Sequence, residues 1–540
     1  MTSRKRAGSD ERRTSSGVDR APASSTGNVA TSFVVGNDTV LSSSGYGSVA
    51  GCAVGEGDVS LASEEPAQAS DRSTAALLPG KLVEEGRETA NVTYAVYKYR
   101  WWVLFVVWLV IFEEACLWNT WGPIADVAKQ AFGWTDGTIA LLANWGCIGF
   151  TIAAGPLSWA MGRRTLKAVF LFSALCGMAC TALRCITMEP NAASYLINFA
   201  HLLNGLSAPV ALGAGPVISA KWFPPSERVT ATAVAGMSTT VGVATSFLLG
   251  PLLVPDTQCN GTSADGAVNH TFESNFTILY DECIDGLRHN IRNLMLVHLG
   301  FSAVVLFLVV FTLKTEPKSA PSHSSAIPRL EFRPGLRKLI RNTPYIVISV
   351  VYGLINGLFS GWGAVLSLIL GMYGVSQRES GFIGFYSTIA GGFTGILMAR
   401  IADKYSRRHK ELILVVLVGS IFAFLALSVV GHFSSGETHK WELAVYYIAV
   451  ILGGIFQYGL IPIMLELAVE ISYPVAEGIT AVFMTFFSCF FVVIFLGLLY
   501  IPGIGVVWLN WSLVAVLVFG TTVIVFVKPQ YSRLDQDLSQ

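Results

Sequence analysis

Beyond residue 100 the chain is a succession of long apolar runs separated by short polar ones, and the runs have bilayer length. A hydrocarbon core of roughly 30 Å takes about 20 residues of helix. On that scale spans are predicted at 101–121, 137–159, 168–187, 193–220, 229–254 and 293–313. After a polar stretch six more follow, at 345–372, 381–402, 411–432, 443–471, 478–501 and 504–527. The pattern predicts an all-α membrane protein of twelve transmembrane helices in two pseudo-symmetric six-helix bundles. Its parts are a first bundle over 96–314, a linker over 315–343, a second bundle over 344–528 and a tail over 529–540.

Residues 1–95 read differently. They are rich in Ser, Gly, Ala and Thr with short mixed-charge runs such as RKRAGSDERR. Such a segment buries too little apolar surface to offset its ordering entropy, which predicts a disordered cytosolic tail. It lacks the apolar core of a cleavable signal peptide, so the first span is expected to serve as its own insertion signal.

Composition agrees with membrane residence: 52% of the 540 residues are apolar and 13% charged, against about 25% charged in a soluble domain. Acidic and basic residues balance at 36 each, which excludes a general affinity for nucleic acid. Their placement is asymmetric. Arg163, Arg164 and Lys167 follow the second span, and Arg400, Lys404, Arg407, Arg408 and Lys410 follow the eighth. The central linker is basic as well, so these loops, the linker and both termini are expected in the cytosol.

The segment 254–291 is acidic, with Arg288 its one Arg or Lys, and is expected on the lumenal side. It carries three glycosylation sequons, at Asn260, Asn269 and Asn275. Cys259 and Cys283 bracket them in an oxidising compartment and form a candidate disulfide. The other cysteines of the spans show no metal spacing, and neither a metal nor a cofactor is expected.

The halves repeat each other. FPPSERVTA at 223–231 and YPVAEGITA at 473–481 share a pattern, as do GPLSWAMGRR at 155–164 and ARIADKYSRR at 399–408. The last resembles the cytosolic motif of the major facilitator superfamily, Gly-x-Leu-Ala-Asp-Arg-x-Gly-Arg-Arg, keeping Asp403, Arg407 and Arg408. The earlier copy keeps Gly155, Gly162, Arg163 and Arg164 but has Trp159 in place of the aspartate. That resemblance implies duplicated halves around a central cavity.

LWNTWGPI (117–124), LLNGLSAPV (202–210), KWFPPSERVTATA (221–233), FSGWGAVLSLIL (359–370) and YPVAEGIT (473–480) narrow it further. These stretches resemble solute carrier family 49. The likeness is greatest to its lysosomal, disrupted-in-renal-carcinoma branch, which is related to the feline leukaemia virus subgroup C receptors. It implies proton-coupled export of a small organic solute from lysosome to cytosol, with pyridoxine (vitamin B6) the leading candidate. The receptor-type relatives imply an alternative, facilitated choline or ethanolamine transport at the plasma membrane. By the same resemblance Trp118 falls at a cavity tryptophan of the choline-handling relatives, Ser238 at a cavity glutamine and Ser360 near a cavity tyrosine.

The residues themselves point to candidates. Glu113 and Glu114 lie past mid-membrane in the first span, where a carboxylate faces a cavity, finds a partner or takes a proton. Neighbours on a helix diverge by about 100°, so the two face different surroundings. Glu114 shares a face with Trp118 and is the favoured proton-coupling residue, with Glu113, His201 and His298 as further candidates. Pairing that merely fixes helix packing is the bland alternative for all of them. Asn119, Asn144, Asn204, Tyr352, Asn356, Trp362 and Gln457 are candidate cavity contacts. Glu466 and Glu470 lie at the cytosolic end of the tenth span. With Arg163, Arg164, Asp403, Arg407 and Arg408 they are expected to form a cytosolic gate.

Tyr531-Ser-Arg-Leu534 has the form of a Tyr-x-x-apolar sorting signal for clathrin adaptors, which favours the lysosomal membrane. The remaining expected partners are the solute, protons and membrane lipid, with the carrier acting as a monomer. A membrane receptor or enzyme is the remote alternative, since no HExxH, GxSxG, P-loop or dinucleotide fingerprint occurs.

Overall fold

The computed structural model describes residues 95–528, except 164–165, 225–226, 258, 260–269, 315, 318, 320–331, 406, 435–438, 474, 476 and 502. The amino-terminal tail, Arg164, Asn260, Asn269, Tyr531 and Leu534 lie outside the described residues, as do the side chains of Arg163, Asn275 and Asp403.

Among the described residues, 12 helices are long and apolar enough to cross a membrane. They run from Arg100–Phe132 and Asp136–Met161 to Gly478–Tyr500 and Val507–Phe526, and each overlaps a predicted segment. Helix is the expected solution, because in hydrocarbon every backbone polar group must find its partner within the segment.

The first span is broken. Its helix runs Arg100–Trp118 and stops at Asn119, whose backbone (φ −93°, ψ 21°) leaves helical geometry. A 3₁₀ turn, Gly122–Ile124, follows with Pro123 inside it, and a second short helix, Ala125–Phe132, completes the span. Gly133 ends it in the left-handed conformation (φ 69°) that glycine adopts without penalty.

The sixth helix departs from the sequence reading. It runs His270–Thr312, 43 residues, or about 64 Å at 1.5 Å per residue, far more than a bilayer needs. Most of the polar segment expected as a loop over 254–291 is therefore helix that projects beyond the apolar run. Hydropathy alone ends a span where charge begins, whereas a helix continues as long as its backbone bonds do. The projection is tied down: Cys283 is disulfide-bonded to Cys259 across a Cα separation of 5.9 Å. Arg288 donates through Nε to the carbonyl of Ala131 at 3.0 Å, and the backbone N–H of Cys259 donates to Gln130 at 3.2 Å.

The halves meet along two seams, the second span against the eleventh and the fifth against the eighth. Hydrogen bonds between the halves gather at the acidic-loop end. Gln377 Nε2 donates to Val254 O at 3.2 Å, and Val127 N donates to Gln377 Oε1 at 3.3 Å. Asn144 Nδ2 reaches Val493 O at 3.4 Å nearby. At the same end the backbones nearly touch: a Cβ on Gly122 would lie 2.1 Å from Ala364 O. Only glycine permits that approach.

Candidate functional site

Between the halves lies a cavity of about 320 Å³. Seven spans supply its principal side chains: Glu114 and Trp118 from the first, Phe150 from the second, Thr239 and Phe247 from the fifth, Tyr352, Asn356, Phe359, Ser360 and Trp362 from the seventh, Ser387 and Thr388 from the eighth, Tyr458 from the tenth, and Thr485 and Ser488 from the eleventh. An aromatic and aliphatic surface with a few convergent polar groups is the usual make-up of a small-molecule site. Among the described lining residues, Glu114 is the one that is acidic or basic. It sits about 21 Å along the helix from Arg100.

Successive residues of the first helix divide as their 100° offset requires. Glu114 and Trp118 are half-buried on the cavity wall, whereas Glu113 is 3% exposed. Glu113 points away from the cavity toward Gly177 of the third span and Ser302 of the sixth.

The cavity wall is braced from behind. Trp118 Nε1 donates to Ala143 O at 3.1 Å. Its indole occupies space that a Cβ on Gly146 would invade at 2.4 Å. Asn119 donates to Ser246 Oγ at 2.8 Å, and Asn356 to Ser488 Oγ at 2.9 Å. Trp362 Nε1 donates to Asn510 Oδ1 at 2.6 Å, and Asn510 Nδ2 donates in turn to the Tyr373 hydroxyl at 2.9 Å.

Of the residues expected from sequence, Glu114, Trp118, Asn119, Tyr352, Asn356, Ser360 and Trp362 come together on the cavity. Four cavity expectations need correction. Ser238 is fully buried and bonds Ala235 O of its own helix, while the adjacent Thr239 faces the cavity. Gln457 donates to Ser420 at 2.7 Å behind the tenth helix, and its neighbour Tyr458 takes the cavity position. Asn204 donates to Glu114 O at 3.2 Å from outside the wall, and Asn144 joins the seam between the halves.

His201 and His298 are buried in the first half, apart from the cavity lining. At the basic-loop end Arg407 and Arg408 are exposed, Glu466 is half-buried and Glu470 buried. Sequence reasoning missed Thr239, Phe359, Ser387, Thr388, Tyr458, Thr485 and Ser488. Hydroxyls and aromatics inside apolar runs give no signal of which way they face.

Residues 103–491 match the Major Facilitator Superfamily. A solute carrier family 49 member 4 homolog from Xenopus tropicalis is 33% identical over 445 residues, covering 82% of this chain and 94% of that relative. The choline/ethanolamine transporter FLVCR1 of Felis catus is 25% identical over 391 residues, covering 70% and 63%. Among solved structures, an inward-facing bacterial homolog of the human lysosomal transporter Spinster superposes with a TM-score of 0.57 at 15% identity. That likeness covers 80% of this chain and 97% of the other, and it concerns the fold alone.

Proposed function

The chain belongs to solute carrier family 49 of the major facilitator superfamily, a family of membrane carriers and not of enzymes, and from that premise we propose proton-coupled export of a small organic solute. The solute class is a hydroxylated, nitrogen-containing aromatic of pyridoxine type, moved from lysosome to cytosol by alternating access. The observation that carries this reading is Glu114, the single acidic or basic side chain among the described residues of the cavity wall, one turn from Trp118. A carboxylate there can bond a hydroxyl or ring nitrogen and exchange a proton with whichever side the cavity opens to. The flat surfaces of Trp118, Tyr352 and Phe359 suit a planar ring.

Lysosomal residence rests on the sorting motif Tyr531-Ser-Arg-Leu534 and on the similarity to the family 49 member 4 homologs. Glu466 and Glu470 are proposed to close the cytosolic end with Arg407 and Arg408. Protons would be loaded on the lumenal side and released to the cytosol.

The aromatic lining and the similarity to FLVCR1 favour a second reading, facilitated transport of choline or ethanolamine through cation–π contacts. One experiment separates the two. Proteoliposomes are loaded with labelled pyridoxine, choline or ethanolamine, and efflux is followed at two lumenal pH values for the natural chain and Glu114→Gln. Proton-coupled export requires pyridoxine efflux that rises at acidic lumenal pH and loses that dependence in Glu114→Gln. Choline efflux indifferent to pH in both proteins would overturn it in favour of the second reading.

A further inference from the structure

Behind the first helix, on the side opposite the cavity, lies a second concentration of charge. Arg184 ends the third span and is fully buried. Its Nη2 donates to Leu117 O at 3.3 Å and bonds His201 Nε2 at 2.9 Å, and its Nη1 donates to Thr120 Oγ1 at 3.4 Å. No carboxylate bonds it among the described residues, and its Nε has no partner. Around it stand Cys116 from the first span, Cys180 from the third, His201 from the fourth and His298 from the sixth, while Glu113, facing Ser302, adjoins the two cysteines. Cys116 and Cys180 each lie within electrostatic reach of both Arg184 and Glu113. Glu113 faces the Ser302 hydroxyl, and His201 Nδ1 and His298 Nδ1 are buried without hydrogen-bond partners.

Two physical facts give this cluster a purpose. A guanidinium does not lose its proton in a protein, so a buried one requires a counter-charge nearby, and Glu113 is the carboxylate within the cluster. The atoms that Arg184 grips are those of the break in the first span. Leu117 O is released from helical bonding where the helix stops at Trp118, and Thr120 caps the same turn through bonds to Cys116 O and Leu117 O. Between Leu117 and Thr120 come Trp118 and Asn119, both on the cavity wall.

We propose that Arg184 is a positioning residue for the solute cavity. It clamps the broken end of the first helix, with Glu113 as its internal counter-charge and the two histidines completing the site. The first helix thus presents one acid to the solute and sets its neighbour against the guanidinium that fixes the helix end. This rests on the cavity being the solute site, but its primary tests need neither solute nor a proton gradient.

The test uses the full chain in detergent and in proteoliposomes. Arg184→Met removes three donors to buried acceptors, which is expected to speed amide hydrogen exchange across residues 117–124 by about tenfold. Exchange in the twelfth span should not change. Arg184→Lys should recover part of the protection. Glu113→Gln and Arg184→Met should each lower the thermal midpoint, while the double variant, which removes both charges together, recovers much of the loss yet keeps fast exchange at 117–124.

The half-saturating pyridoxine concentration should rise about tenfold in Arg184→Met. Unchanged exchange at 117–124 in folded Arg184→Met would overturn the clamp. Midpoint losses that simply add in the double variant would overturn the counter-charge. Should Arg184→Met fail to fold, Arg184→Lys and Glu113→Gln carry the same two tests. Absence of proton-driven pyridoxine efflux would leave the exchange and midpoint results standing, so the two readings fail separately.

Discussion

The side-chain amide of Gln377, at the start of the eighth helix, donates to the carbonyl of Val254 at the end of the fifth at 3.2 Å. Its oxygen accepts from Val127 N, so one 1% exposed amide holds two backbone groups of the opposite half. Alternating access requires the acidic-loop end to part, and these bonds must break when it does. Gln377→Leu removes both while leaving Val254 O and Val127 N buried. Lost bonds of this kind cost about 1–3 kcal/mol, enough to move the equilibrium toward the state open at the acidic-loop end by roughly tenfold or more. Labelling of Thr388→Cys, a cavity position, by an impermeant maleimide from the acidic-loop side should accelerate accordingly. An unchanged labelling rate would mean that Gln377 does not hold the closure.

Gly122 tests the same closure by steric means. A Cβ there would sit 2.1 Å from Ala364 O, a backbone atom that cannot swing aside. Gly122→Ala should therefore oppose closure of the acidic-loop end more strongly than Gln377→Leu. The expected outcome is near-complete loss of transport with the cavity held open to impermeant reagent on that side. Transport at the natural rate would show that the two backbones separate without cost.

The wall position of Trp118 depends on an absent side chain. With Gly146→Ala, a methyl would enter the indole at 2.4 Å. The ring must then move and give up its bond to Ala143 O. An aromatic contact is worth about 0.5–1.5 kcal/mol and the hydrogen bond a similar amount, so solute affinity should fall by roughly tenfold. Gly146→Ser should do the same, and Trp118→Phe in the Gly146→Ala background should recover part of the loss by returning space. Equilibrium binding of labelled solute to detergent-purified protein measures all three.

How much of this was legible beforehand follows from what hydrocarbon demands and what it ignores. The bilayer imposes length and apolarity on every spanning segment, so all the spans could be read from runs of about 20 residues. It imposes nothing on the phase of a helix lying between protein and protein. Ser238, which the family resemblance points to, and Gln457, which its own run points to, each lie one residue away from the side chains that face the cavity, Thr239 and Tyr458. A single-residue error is a 100° rotation, and a continuous apolar run carries no polar stripe to fix it.

Glu114 and Trp118 lie together on the cavity wall because residues four apart share a helix face. Arg184 carries no mark of its burial in the sequence, since a basic residue at a helix end ordinarily reaches the interface. Only the folded bundle, in which it is fully buried against Leu117 and His201, shows otherwise. The extension of the sixth helix was hidden for the opposite reason, since charge ends a hydropathy run without ending a helix.

Asn510 offers a last test, of a residue outside the cavity that sets the shape of its wall. Its Oδ1 accepts from Trp362 Nε1 at 2.6 Å and its Nδ2 donates to the Tyr373 hydroxyl at 2.9 Å, all three side chains being buried. Asn510→Leu leaves an indole N–H and a phenol hydroxyl without that partner at about 1–3 kcal/mol each. The thermal midpoint should fall by several degrees, and the solute site, freed at Trp362, should weaken with it. Tyr373→Phe removes the hydroxyl that Asn510 Nδ2 reaches while leaving Oδ1 to accept from the indole, so it separates the two effects. If the bond to Trp362 governs the cavity wall, Tyr373→Phe binds solute close to the natural chain while melting early. Binding weakened equally in both variants, measured alongside their melting curves, would assign the effect to Tyr373 instead.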